Sequence, residues 1–322
     1  MIHIIGHNEI VLNLSRTLSG KQIPFRVYSN KDIPELGNAY VQLNTLDELK
    51  QALPSSSEAS LIISAGAPWI FTNEFLAAFE PTGIFNIHGT PLPHDRGGTI
   101  VSWLILNKKR LGNSVIHKIV KNPDAGPVLM SQEFIYPASC HYPIDYLHEY
   151  NRQQELLVTD LCIRWSQGEV DLTKVSEQPH YLSSYWPRLN ATFNAWIDWQ
   201  WQGDDIELLI RAFDEPYKGA QALWRGKKVW LKKAFFQRDA NYHPFQWGLV
   251  YRFRQLQDTQ YLAIAVQGGT LYIESCVDDA GIDMMTSIKE GDRLYCLDEN
   301  LVSSQQRTIK TKNGFGQQDH FA

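Results

Sequence analysis

The 322-residue chain is poor in cysteine, and none of its 4 cysteines forms a Cys-x-x-Cys pair. Cys140, Cys162, Cys276 and Cys296 are dispersed, which argues against a disulfide framework or a cysteine-based zinc site and predicts a reducing, cytoplasmic setting. Positive charge is not in excess. Lys and Arg number 30 against 35 Asp and Glu, a net charge of −5. Non-specific nucleic-acid binding depends on basic side chains against phosphates, so nucleic acid is not an expected partner. No apolar run approaches the ~20 residues of a membrane helix, and no membrane association is expected. Met1 to Gly6 lacks a basic start and a cleavage site, so it is not read as a signal peptide.

Two glycine and histidine patterns are also missing. A dinucleotide dehydrogenase needs Gly-x-Gly-x-x-Gly after its first strand, but only Gly6 is present, followed by His7-Asn8-Glu9. There is no His-Glu-x-x-His, and Cys140, His141 and His148 lack zinc-ligand spacing, so no metal is expected.

What remains is an ordinary globular composition, 43% hydrophobic and 20% charged. At ~100–200 residues per domain the length predicts about two domains. Of 10 tryptophans, Trp186, Trp196, Trp199, Trp201, Trp224 and Trp230 fall between 186 and 230, where the chain changes character.

Before that point, short apolar runs alternate with helical spacing. Strands are expected at 2–5, 25–28, 61–64, 84–88, 114–120 and 128–135. Helices are expected at 9–18, 46–53, 73–79, 100–106 and 146–165. This pattern predicts an α/β fold with a mostly parallel, Rossmann-like sheet. Residues 1–185 are expected to be the catalytic domain, 186–204 a linker, and 205–322 a smaller OB-like β-barrel domain built from short β-branched and aromatic runs. The tail from Ser303, rich in Gln, Lys and Gly, is expected to be loosely ordered.

Chemistry concentrates in 84–98. On a strand over 84–88, Asn86 and His88 point to one side and Ile87 to the other. In open α/β sheets the carboxyl ends of the strands line the ligand crevice. An Asn and a His there pair an oxyanion donor with a proton-transfer group. Asp124, in Lys121-Asn122-Pro123-Asp124-Ala125-Gly126-Pro127, sits on a tight loop after the next strand, where its carboxylate could orient His88. Each element alone also reads as a loop cap or a common turn. Their joint spacing is more specific.

Asn86-x-His88, Leu92-Pro93-x-x-Arg96-Gly97, a helix carrying Trp103, a strand ending in Ile116-His117, and Asp124-x-Gly126-Pro127 together resemble the folate-dependent formyltransferases. The likeness covers about 60–135 well. Ile197-Asp198-Trp199, Leu209 to Phe213 and Pro216-Tyr217-Lys218-Gly219-Ala220 resemble the start of the C-terminal domain of methionyl-tRNA formyltransferases and of some amino-sugar formyltransferases.

The resemblance implies transfer of a formyl group from 10-formyltetrahydrofolate to a primary amine, with no metal. Asn86 would bind the oxyanion, His88 would move the amine proton, and Asp124 would orient His88. Ala65, Gly66, Ala67, Arg96, Gly97, Lys121 and Asn122 would bind the cofactor, and Thr90, Pro91, Trp103 and Tyr217 would meet the acceptor. Arg96 reads equally well as a structural ion-pair partner. His117 would help orient the crevice.

The acceptor implied is a nucleotide-linked amino sugar of bacterial surface-glycan or lipopolysaccharide synthesis, and a homodimer is expected. The acidic chain, the absence of a basic insertion, and Lys227, Lys228, Lys232 and Lys233 alternating along one strand face count against tRNA. Methionyl-tRNA formyltransferase is the alternative, and a non-catalytic folate-binding scaffold a second. Two departures, Gly89-Thr90 where the family usually has Pro or Ala followed by Ser, and Lys218 where Pro is common, are expected to reshape the acceptor side.

Overall fold

The computed structural model describes residues 1–54, 60–98, 100–311 and 314–318. The chain divides into two compact units. Unit 1 comprises Met1–Gly97, Arg110–Tyr136 and His148–Trp186, and unit 2 comprises Gly98–Lys109, Pro137–Leu147 and Pro187–Ala322.

Unit 1 is organised by β1 (Ile2–Gly6), β2 (Phe25–Ser29), β3 (Tyr40–Gln42), β4 (Leu61–Ala65), β5 (Phe85–His88), the two-residue β6 (Arg96–Gly97), β7 (Leu111–Lys118), β8 (Val128–Ile135) and the two-residue β9 (Tyr185–Trp186). A seven-stranded sheet runs in the order β3-β2-β1-β4-β5-β7-β8. The pairs from β3 through β5 are parallel, and those joining β5, β7 and β8 are antiparallel. Every residue of β1 and β4 is buried, as expected of central parallel strands covered on both faces.

Helix α1 (Glu9–Gly20) starts at Asn8, whose side chain accepts from Val11 N at 3.1 Å. Its Ile10, Leu14 and Leu18 are buried with Ile2, Ile4 and Val27 in one cluster. The short α2 (Leu46–Ala52) carries a Thr45/Glu48 capping box, and α3 (Asn73–Ala77) is capped by Thr72. On the other face Ile5, Tyr28, Leu49, Phe75 and Ile84 form a second cluster.

Unit 2 contains α4 (Ile100–Leu106), the first residues of the long α5 (Pro143–Ser166), α6 (Ala191–Asn194) and α7 (Gly203–Ala212). Ser102 Oγ donates to Ala212 O at 2.8 Å, tying α4 to α7. Strands β10 (Ala220–Trp224), β11 (Lys227–Gln237), β12 (Val250–Leu256), β13 (Thr259–Val266), β14 (Gly269–Asp278) and β15 (Leu294–Tyr295) form an antiparallel sheet in the order β12-β13-β14-β11-β10-β15. Among the described residues no strand pair closes this sheet into the expected OB-like barrel. Its edges meet at one end through an isolated antiparallel bridge between Leu249 and Arg293 and backbone bonds from Val250 N to Asp292 O, Gly291 N to Val250 O and Leu294 N to Gly248 O, each 2.8 Å.

The described part of the tail, 303–311 and 314–318, differs from expectation, while 312–313 and 319–322 lie outside the described residues. It completes α8 (Asp298–Ser304) and forms a hairpin of β16 (Arg307–Thr311) and β17 (Gly314–Gln318). Asn194 holds it in place. Its Nδ2 donates to Ser304 O at 2.8 Å, and its Oδ1 accepts from the buried Thr308 hydroxyl at 2.8 Å. A polar composition gave no sign of that anchor.

Candidate active site

Asn86 and His88 lie on β5, and the antiparallel register sets Asn86 directly opposite His117 on β7. Asn86 Nδ2 lies 3.4 Å from His117 Nε2. Asp124 follows β7 on a turn where it adopts φ +54°, the left-handed region that Asp tolerates better than most residues. Gly126 completes that turn because a Cβ there would lie 1.7 Å from Lys118 O.

The turn delivers Asp124 Oδ1 to 3.5 Å from His88 Nδ1 and 3.7 Å from His117 Nε2. Its Oδ2 accepts from Gly97 N at 3.2 Å. Asn86, His88 and Asp124, drawn from two separate stretches of sequence, therefore converge.

Both histidines are buried. Burial favours the neutral ring, so His88 is held below its usual pKa, with Asp124 opposing the shift. His117 falls to about 4 by burial and by the proximity of His88. Burial, then the Asp124 carboxylate, lifts the Tyr150 phenol to about 12.

A crevice of about 300 Å³ opens beyond β4, walled by Ser64, Gly66, Ala67, Trp69, Asn86, His117, Lys121 and Asp124 among others. His88 stands behind this wall and reaches it through Asp124. Of the residues expected to meet the cofactor, Gly66, Ala67 and Lys121 line the crevice. Ala65 is buried in β4, and Asn122 contributes a turn carbonyl to Ala125 N at 3.2 Å.

Arg96 and Gly97 are not in the wall. Arg96 Nη2 donates to Gln178 Oε1 at 2.5 Å and contacts His180 Nδ1 at 3.1 Å, so its partners are polar but not ionic. Thr90 is buried against His88, Nε2 to Oγ1 at 2.7 Å, and Pro91 is half-buried. Trp103 and Tyr217 belong to unit 2. There Trp103 Nε1 donates to Pro187 O at 2.9 Å, and Tyr217 lines a separate cavity of about 330 Å³ with Arg188 and Phe315.

Residues that sequence reasoning missed hold this site together. Gln178 Nε2 donates to Asp124 O at 2.9 Å and to Gly126 O at 2.6 Å, pinning the Asp124 turn. Tyr150 fills the space beside Gly89. The lysines near β11 are paired, Lys232 with Glu215 at 2.7 Å, Lys233 with Glu274 at 2.9 Å and Lys228 with Asp279 at 3.3 Å. Among the described residues no group of three or more His, Cys, Asp or Glu could hold a metal, and no helix is long and apolar enough to cross a membrane.

The sequence of 192–287 matches the family profile of the formyl transferase C-terminal domain. The chain also has the formyltransferase fold. It superposes on WlaRD, a sugar 3-N-formyltransferase with dTDP and 5-N-formyltetrahydrofolate, with TM-score 0.61 and 19% identity over 85% of this chain and 96% of that one. An N-formyltransferase from Helicobacter canadensis, in complex with folinic acid and dTDP-3-aminofucose, matches with TM-score 0.61 and 17% identity over 85% and 98%. HypX from Aquifex aeolicus with tetrahydrofolic acid matches with TM-score 0.59 and 17% identity over 86% of this chain, which spans under half of HypX at 44%.

Proposed function

We propose that the chain is a folate-dependent N-formyltransferase that moves a formyl group from 10-formyltetrahydrofolate to the primary amine of a nucleotide-linked amino sugar. The observation that carries this reading is that Asn86 and Asp124 line one crevice, with His88 directly behind it, 3.5 Å from Asp124. Its volume and its small-residue wall at Gly66 and Ala67 suit a flat bicyclic ring read by backbone groups.

The bound co-substrate supplies an activated formyl carbon, and the chain's own residues do the rest. Asn86 has two amide protons. One faces His117, and the other is available to the oxygen that gains charge when the amine attacks. Such a donor is worth ~10²–10³ in rate. His88, kept neutral by burial, takes the proton that the amine must shed, and Asp124 stabilises the resulting imidazolium. That transfer is typically worth ~10²–10⁴.

Solved proteins of the same fold that carry dTDP or a dTDP-amino sugar support the acceptor class. We place the enzyme in the cytoplasm, in surface-glycan synthesis, acting as a homodimer, with catalysis in 1–185. Lys228, Lys232 and Lys233 are each paired with a carboxylate, which counts against a basic tRNA groove on β11. The test is turnover with 10-formyltetrahydrofolate against a panel of dTDP-linked amino sugars and methionyl-tRNA. Formylation of a sugar nucleotide is expected. Formylation of methionyl-tRNA alone reverses the acceptor, and folate binding with no transfer to any amine makes the chain a scaffold.

A further inference from the structure

The two ring nitrogens of His88 meet different surroundings. Nε2 lies 2.7 Å from Thr90 Oγ1, and Nδ1 lies 3.5 Å from Asp124 Oδ1. The nitrogen that carries the proton in the neutral ring decides which one can accept another.

Thr90 decides the matter by valence. A hydroxyl has one proton to give and two lone pairs. Thr90 Oγ1 sits 3.0 Å from Asp95 O and 3.4 Å from His94 O, and both carbonyls can only accept. Were the hydroxyl proton given to Nε2, the Thr90 and Asp95 oxygens would face each other with no proton between them, at a residue 2% exposed. Two acceptor oxygens set lone pair to lone pair in a buried site repel each other, and the Asp95 backbone carbonyl also accepts from the His88 ring. The hydroxyl therefore donates to Asp95 O and accepts from Nε2–H.

The Asp95 carbonyl is itself held. Asp95 adopts φ +54°, its N donates to Ser184 Oγ at 2.9 Å, and its Oδ1 accepts from Trp186 Nε1 at 2.7 Å. Arg96 N adds a bond to Ser184 O at 2.9 Å.

We infer that Thr90 is a positioning residue that holds His88 as the Nε2–H tautomer, so that Nδ1, beside Asp124, is the atom that takes the proton of the acceptor amine. His117 is arranged to match. Its Nδ1–H donates to Lys118 O at 3.0 Å, which leaves Nε2 bare toward Asn86 and Asp124. With His117 Nε2 taken up by the Asn86 amide, His88 Nδ1 and the Asp124 carboxylate oxygen converge as the acceptors for the N–H bonds of a primary amine. As the amine nitrogen bonds to the formyl carbon, its N–H proton passes to His88 Nδ1. The imidazolium is then held by Asp124 on one side and Thr90 on the other. When the carbon's bond to the folate nitrogen breaks, that proton goes to the departing nitrogen. Asp124, His117 and Arg96 are the charged or titratable groups that act on the ring.

The assignment deepens the formyl-transfer reading and rests on it for the proton's origin, but its primary readout needs no turnover. The experiment is ¹⁵N–¹H correlation of the histidine rings of the full chain near neutral pH, with His88 assigned by loss of its signal in His88→Gln. The expected result is a neutral ring protonated at Nε2 in the wild type and in Thr90→Ser. Thr90→Val should shift it toward the Nδ1–H form and lower kcat about 10²-fold with KM little changed. A wild-type ring protonated at Nδ1, or a Thr90→Val protein with wild-type tautomer and kcat, overturns the inference. An Nε2–H ring that responds to Thr90→Val in a chain transferring no formyl group upholds Thr90's role and sinks the reaction instead.

Discussion

Gly89 and Tyr150 share one volume: a Cβ on Gly89 would lie 1.8 Å from Tyr150 Cε2. The aromatic ring on α5 occupies the place that a side chain after His88 would need. In this chain the Tyr150 ring excludes the Pro or Ala that the resembling family usually has at position 89. Gly89→Ala should therefore displace Tyr150 and cost about 1–3 kcal/mol, measured by denaturant unfolding. Tyr150→Ala should remove most of that cost in the double variant, because residues in contact are not additive. Purely additive losses would show that the overlap relaxes without consequence.

Asn86→Ala should lower kcat for formyl transfer about 10²–10³-fold with little change in folate affinity by fluorescence titration. The same substitution strips His117 of its Nδ2 partner, 3.4 Å away. A loss confined to folate binding would assign Asn86 to holding the co-substrate rather than to the oxyanion.

The pH profile follows from the sign of the His88 shift. Burial lowers its pKa below the ordinary 6.5, so the proton-accepting form persists to lower pH than a free histidine would allow. The acid limb of kcat/KM should have its midpoint below 6.5. Asp124→Asn removes the group that opposes the shift, so the limb should move lower still while the plateau rate falls. A limb at or above 6.5 would contradict a buried neutral base.

His3 and His117 both sit near pKa 4 in the fold, against 6.5 in the unfolded chain. Between those values the unfolded state binds protons that the folded state refuses. Stability is therefore full above 6.5 and is lost as pH falls toward 4, by up to about 1.4 kcal/mol per pH unit for each ring. His3 is remote from the crevice, with Nδ1 2.9 Å from Tyr28 OH. His3→Gln should reduce the slope of stability against pH by up to about 1.4 kcal/mol per pH unit and leave formyl transfer unchanged.

Gln178→Ala should loosen the Asp124 turn, which it holds by bonds to Asp124 O and Gly126 O. Losing one to two buried bonds at ~1 kcal/mol each predicts about a tenfold fall in kcat, with the folded state retained by circular dichroism.

Much of unit 1 is legible in the sequence because short, β-branched apolar runs such as Leu61-Ile62-Ile63, bounded by Gly66 and Pro68, read as buried central strands. Asn86-x-His88 is legible because strand alternation fixes the side to which both point. Gln178 and Tyr150 are not legible. Each acts on a loop dozens of positions away, and no local period records such a contact. Thr90 reads as an acceptor contact, but its hydroxyl is committed inside the site to His88 and Asp95. In unit 2 the short runs identify strands but not closure, since edge pairing depends on long-range register, and the antiparallel sheet stays open among the described residues.

The clasp formed by Gln178, Ser184 and Trp186 also orders events during synthesis. A nascent chain can form the seven-stranded sheet once residue 135 has left the ribosome, yet the Asp124 turn and the Asp95 carbonyl remain untethered until 178–186 emerge. The sheet can thus exist before its chemistry, and the cleft matures only when a segment beyond the last strand of that sheet folds back to latch it.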